Sequence, residues 1–173
     1  MKIDTIFELK LFAFHYQNEE YNEYDRILNL WNDPEYLYSF LKENETDIVD
    51  ISIESLSTQI LYDANDIERT LYNIQADENK SLNEFFKQLQ NTEYQAQTLS
   101  LRKGRKNYLR IYALKIDDNC FVITGGAIKL TQFMDQSTHT QTELQKMRTC
   151  KQFLQQQGAL DTDSFFEFLI EGI

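Results

Sequence analysis

Apolar residues recur at Ile53, Leu56, Ile60, Ala64, Ile67, Leu71 and Ile74. Steps of three and four draw one continuous stripe along a long helix and leave Asp63, Asp66 and Glu68 outside it. Upstream, Phe7-Glu8-Leu9-Lys10-Leu11 alternates apolar and charged and runs on through the aromatics to Tyr16, which predicts a strand. Tyr21, Tyr24, Leu28 and Trp31 then fall at helical spacing. Asp33-Pro34 marks a second helix start, because Asp accepts from open amides at the N-cap and Pro has no amide to leave unpaired there. That helix should reach about Lys42, and a further short helix is expected from about Ser81 to Leu89.

The texture changes after Tyr94. Leu99-Ser100-Leu101 predicts a strand end, and residues 102–106 a basic turn. Tyr108 to Ile116 is rich in β-branched and aromatic residues, Asp117-Asp118-Asn119 makes a tight turn, and Cys120 to Thr124 runs apolar up to Gly125-Gly126. Residues 108–116 and 120–125 should therefore pair as adjacent antiparallel strands. Thr140-Gln141-Thr142-Glu143 has the spacing of a capping box, opening a helix with Leu144, Met147, Cys150 and Leu154 on one face and Gly158 just past its end. Asp161 or Asp163 can cap a last helix carrying Phe165, Phe166 and Leu169. Strands and helices are segregated rather than alternating. The expected class is α+β, a small antiparallel sheet built mostly from the second half and covered by helices from both halves.

A chain of 173 residues suits one domain, 1–173, with 1–96 mostly helical and acidic and 97–173 holding the sheet and the C-terminal helices. The net charge of −11 is unevenly spread. Residues 1–96 carry 7 Lys and Arg against 20 Asp and Glu, whereas residues 97–151 carry 10 against 4. Such asymmetry points to a local interaction surface; the alternative is that the two segments neutralise each other in the fold. No stretch approaches the roughly 18–20 apolar residues that cross a bilayer. The N-terminus lacks an apolar run with a cleavage site, so a cytoplasmic protein without membrane contact is expected. Cys120 and Cys150 match no metal spacing and read as buried free thiols. No Walker loop, dinucleotide fingerprint or zinc cluster occurs, so neither cofactor nor metal is expected. With only His15 and His139, a hydrolase triad has little raw material.

The candidate chemistry lies in the basic segment. Arg102, Lys103, Arg105 and Lys106 bunch on one loop, and Arg110 follows on the strand. In a regular hairpin Tyr108, Arg110 and Tyr112 share one face, with Lys106 joining them where the strand begins. Cations interleaved with aromatic rings suit a phosphodiester backbone and stacking bases; the alternative is a solubilising loop beside an amphipathic strand. Gly125-Gly126 lets bare backbone approach a phosphate beside Lys129, or simply ends a strand. His139 is the nearby side chain whose ordinary pKa suits proton transfer at neutral pH, although a lone His before a helix is more often structural.

Leu101-Arg102-Lys103-Gly104, Leu109-Arg110-Ile111-Tyr112-Ala113-Leu114 and Phe121 to Lys129 follow one another in a succession that resembles the sheet core of the RelE/HigB superfamily of bacterial toxins. The likeness covers about residues 97–151 and leaves the rest of the N-terminal half as a helical extension. The whole chain also resembles a group of uncharacterised bacterial proteins that share an ITGGAIKLT-like stretch and the helix after it. The superfamily resemblance implies cleavage of messenger RNA on the ribosome, controlled by an antitoxin-like protein partner. It implies Arg102 and Arg110 for phosphate and transition-state charge, Lys129 at the sheet's end, and Tyr108 or Tyr112 for stacking, with no DNA involved. Arg105 and Lys106 extend the RNA contact. Arg110, Lys129 and His139 would make a metal-independent endoribonuclease, since 2′-hydroxyl attack needs alignment, a proton acceptor, a leaving-group donor and cations. The alternative is a non-catalytic module that binds a protein through its acidic helical face.

Overall fold

The computed structural model describes residues 1–89, 96–99, 107–131 and 137–172. The class is α+β, and the sheet is larger and more mixed than the sequence predicts. Six strands lie in the order β1-β2-β6-β5-β4-β3. They are β1 (Lys2–Phe7), β2 (Leu11–His15), β3 (Phe86–Gln88), β4 (Ala96–Leu99), β5 (Leu109–Asp117) and β6 (Cys120–Ile128). Three of the six, β1, β2 and β3, lie before Ala96, so the sheet is not mostly a product of the second half. β2 runs parallel to β6, with Phe12 opposite Val122, and the other pairs are antiparallel.

The run from Phe7 to Tyr16 is not one strand. It turns at Glu8-Leu9-Lys10, where Leu9 adopts a positive φ of 64° and the Lys10 amide donates to the Phe7 carbonyl at 3.0 Å. The turn sends β1 back along β2 as a hairpin. Ser81 to Leu89 is not a helix either, but a 3-10 turn over Leu82–Glu84 followed by β3. The cause is long-range. Asn119 accepts from the Leu82 amide at 2.7 Å, and the Phe86 ring stacks on Phe121 with centroids 4.6 Å apart.

Two helical layers cover the sheet. On one face lie α1 (Glu23–Trp31), α2 (Pro34–Glu43) and α3 (Ile53–Ala76), packed on Leu11, Ala13, Leu109, Ile111, Phe121 and Ile123. On the other lie α4 (Thr138–Gln156) and α5 (Thr162–Glu171), packed on Phe12, Phe14, Tyr112, Leu114 and Val122. The central strands therefore have both faces buried, which is why β6 is a continuous apolar run. Asp33 caps α2 as its position predicts, Asp161 and not Asp163 caps α5, and Gly158 stands past α4 at φ 69°. The α3 stripe is buried from Leu56 to Ile74, each large side chain contributing about 1.5–3 kcal/mol. Asp63, placed outside that stripe by its charge, is buried as well. Cys120 and Cys150 are buried free thiols, each pushed up to about 12 by burial.

Gly126 shows how tightly the first layer closes. A Cβ there would stand 2.9 Å from the Arg110 carbonyl oxygen and from Ile27 Cδ1, and 3.1 Å from the Trp31 ring. Gly126→Ala is expected to lower stability by about 1–3 kcal/mol. Denaturant unfolding followed by fluorescence of Trp31, the one tryptophan in the sequence, checks this.

Candidate functional site

Arg110 and Lys129 meet at one end of the β5–β6 pair, where the Lys129 amide donates to the Tyr108 carbonyl at 2.6 Å. The Arg110 guanidinium folds back on its own chain, donating to the carbonyls of Asn107 and Leu109 at 2.8 Å each. Lys129 is half-buried. Burial first, and then the charge of Arg110, hold its ammonium below the ordinary lysine range. No carboxylate of the described residues lies within ion-pairing distance of it. Lys115, the remaining described cation between 107 and 129, pairs with Asp118 at 3.2 Å. Arg102, Arg105 and Lys106 lie outside the described residues.

The two tyrosines do not form a stacking platform beside Arg110. Tyr108 precedes the first strand residue, where the Asn107 side chain accepts from the Leu109 amide at 2.9 Å. That small turn takes Tyr108 out of the strand's alternation, and its ring joins the core under α1–α3. Tyr112 points to the opposite face, beneath α4, and is 1% exposed. Its hydroxyl has no hydrogen-bond partner among the described residues, and burial followed by the nearby Glu143 raises its pKa.

His139 does not join Lys129 but belongs to a second polar centre, between α1, α2 and the first half of α4, beside Phe40, Arg26 and Lys146. α4 starts at Thr138, capped by Ser137, rather than through a Thr140–Glu143 capping box. Glu143 is instead drawn inward. Its Oε1 accepts from Lys146 Nζ at 3.3 Å and lies 4.0 Å from Arg26. From the facing helix, Glu23 accepts from Arg26 through both oxygens, at 2.7 and 2.8 Å, and from Lys146 at 2.6 Å. Both carboxylates are buried, whereas the side chains of Arg26 and Lys146 are 27% and 22% exposed. The sheet makes room for this at Gly125, where any Cβ would overlap Oε2 of Glu143. Lys146 also stands over the Tyr16 ring at 5.1 Å, and the Tyr16 hydroxyl donates to the Thr124 carbonyl at 2.9 Å. His139 packs on Phe40 with ring centroids 5.0 Å apart. Burial, then the charges of Arg26 and Lys146, push its pKa down, so the imidazole is neutral near pH 7.

The chain has no close match among family models, curated proteins or solved structures.

Of the residues singled out from the sequence, Arg110 and Lys129 come together, His139 joins Arg26 and Lys146, and Tyr108 and Tyr112 are buried on opposite faces. Glu23, Arg26 and Lys146 escaped notice because each looks like one more charge on an amphipathic helix. The i, i+3 spacing of Glu23 with Arg26 and of Glu143 with Lys146 was the available signal, but it is as common on solvated faces.

Glu143 reports on the state of this centre. Burial is the main cause that raises its pKa, and Glu23 adds to it, with Lys146 and Arg26 acting the other way. A carboxyl whose folded pKa exceeds its unfolded value favours folding in its protonated form. Its contribution is present below about 4.5, the unfolded value, and is lost as pH rises through the folded value. Glu143→Gln keeps the shape and removes the charge. The variant should gain stability relative to wild type across that pH window, and paired melting curves at pH 4 and about pH 7 check this.

Proposed function

We propose that this protein contacts RNA through the Arg110–Lys129 end of its sheet, as a toxin-like protein of the RelE/HigB type, with metal-independent RNA cleavage as the activity of that site. The carrying observation is the like-charged pair itself. A half-buried lysine whose neighbouring charge is an arginine, with no described carboxylate in reach, is relieved by an anion. Phosphate oxygens supply that charge, and the basic run from Arg102 to Lys106 enters β5 directly before it in the chain. The order of elements from residue 107 onward agrees with the resemblance: a strand carrying Arg110 and Tyr112, then an apolar strand ending just before Lys129. The burial of Tyr108 and Tyr112 leaves base stacking to other residues.

The test is RNA binding by the full chain at two salt concentrations. Affinity should fall steeply with salt, because neutralised phosphates release counterions. Lys129→Ala and Arg110→Ala should each weaken binding, and Arg110→Lys should impair any cleavage, since an ammonium cannot reproduce the planar fork. Salt-independent or absent binding would favour a protein-interaction module. The exposed Tyr38, Tyr62 and Tyr72 on the acidic helices α2 and α3 are the observation on that side.

A further inference from the structure

We infer that the α1–α2–α4 centre is a binding site for one nucleotide unit, a phosphate with its attached base, separate from the Arg110–Lys129 end. It rests on the RNA reading above and adds a second point of contact to it.

The case begins with donors left over. Arg26 directs Nε and Nη2 at Glu23, and no described group occupies Nη1. Lys146 donates to Glu23 and Glu143 and stands over the Tyr16 ring, so one of its three N–H bonds makes no hydrogen bond to a described residue. His139 has no hydrogen-bond partner among the described residues at either ring nitrogen. All three side chains are partly exposed and electrostatically coupled. The buried carboxylates beneath hold the two cations in place without using Arg26 Nη1 or the third Lys146 N–H. This is the arrangement that fixes cations for an incoming anion instead of neutralising them from above.

The second part is aromatic. Tyr36 and Phe40 on α2 are roughly parallel, with centroids 6.0 Å apart, and His139 lies against Phe40 at a tilt of 59°. Tyr36 lies close enough to Arg26 and Glu143 to feel both charges. Partly exposed rings beside cationic donors suit a planar base joined to a phosphate, and stacking tolerates any base. The third part is the fault in the centre. Glu143 is 5% exposed, and its Oε2, which faces the Gly125 backbone, has no hydrogen-bond partner among the described residues. A phosphate arriving beside it adds a second negative charge and favours the protonated form of this already raised carboxyl, which relieves the repulsion.

Binding has a signature that packing alone does not produce. A phosphate between Arg26 and Lys146 offsets the charges that depress His139, so the imidazole pKa should rise when the site fills. Affinity should accordingly increase as pH falls toward that value. His15, held by Asp4 at 2.8 Å and the Glu19 carbonyl at 2.9 Å, serves as an internal reference.

The experiment titrates the full chain, labelled at its histidines, with inorganic phosphate, adenosine 5′-monophosphate and a short oligoribonucleotide, following both rings by NMR. Adenosine 5′-monophosphate should move His139 saturably, raise its pKa and leave His15 unmoved. Lys146→Gln should weaken that binding about tenfold, the size expected for one charged hydrogen bond. Phe40→Leu tests the ring contact should the lysine variant unfold. Tighter binding of the oligoribonucleotide than of the mononucleotide would assign the site to RNA, and equal binding to a free nucleotide. Equal shifts with phosphate and nucleotide would overturn the base contact. An unmoved His139 while RNA binding still depends on Arg110 would overturn this site and leave the proposed function standing. No binding of RNA or nucleotide would overturn both.

Discussion

Replacing Glu23 with alanine should cost about 3–5 kcal/mol, enough to unfold much of a marginally stable domain at ordinary temperature. Glu23 accepts three short hydrogen bonds from Arg26 and Lys146 while almost wholly buried. Its removal leaves two partly buried cations facing one carboxylate. Glu143 stands 3.3 Å from Lys146 and 4.0 Å from Arg26, so it can take over part of the role. The Glu143 pKa should then fall, because the like charge of Glu23 has gone and the cations remain. A double-mutant cycle of Glu23→Ala with Lys146→Met measures the coupling. If the charges act as a unit, the double variant should be more stable than the sum of the two single losses allows. Additive losses would show that Glu23 matters for α1 packing and not for the cluster.

The second large effect is expected at Phe121. Its ring is 1% exposed near the start of β6 and stacks on Phe86 at 4.6 Å. Phe121→Ala should cost about 3–5 kcal/mol through the cavity it leaves. The loss should not be uniform along the chain. β3 is a three-residue edge strand, and Phe86 is its one buried side chain. Amide exchange in β3 should therefore rise more than in α4, which packs on the other face. Equal increases in both would mean that β3 does not depend on this ring pair.

The sequence by itself determined those elements whose causes are local. The α3 stripe, the Asp33-Pro34 start, the Asp161 cap, the turn at Asp117-Asp118-Asn119 and the glycine after α4 each rest on neighbours a few residues apart. All of them stand in the structure. The pairing of β5 with β6 was legible for the same reason, since a tight turn fixes an antiparallel register.

Tertiary structure decided whatever depends on a partner far along the chain. The parallel β2–β6 pair joins residues more than a hundred positions apart, and no local signal specifies it. β3 exists because Asn119 and Phe121 hold residues 82–86, which a helical reading of that segment could not anticipate. Of the candidate site, the proximity of Arg110 and Lys129 followed from the hairpin, whereas the burial of Tyr112 required knowing that α4 covers that face. Glu23 and Glu143 are separated by 120 residues and come to share Lys146 only when α1 and α4 close on Gly125. Charge is written in the sequence; whether a charge faces water or another charge is settled by the packing of the two helical layers on the sheet.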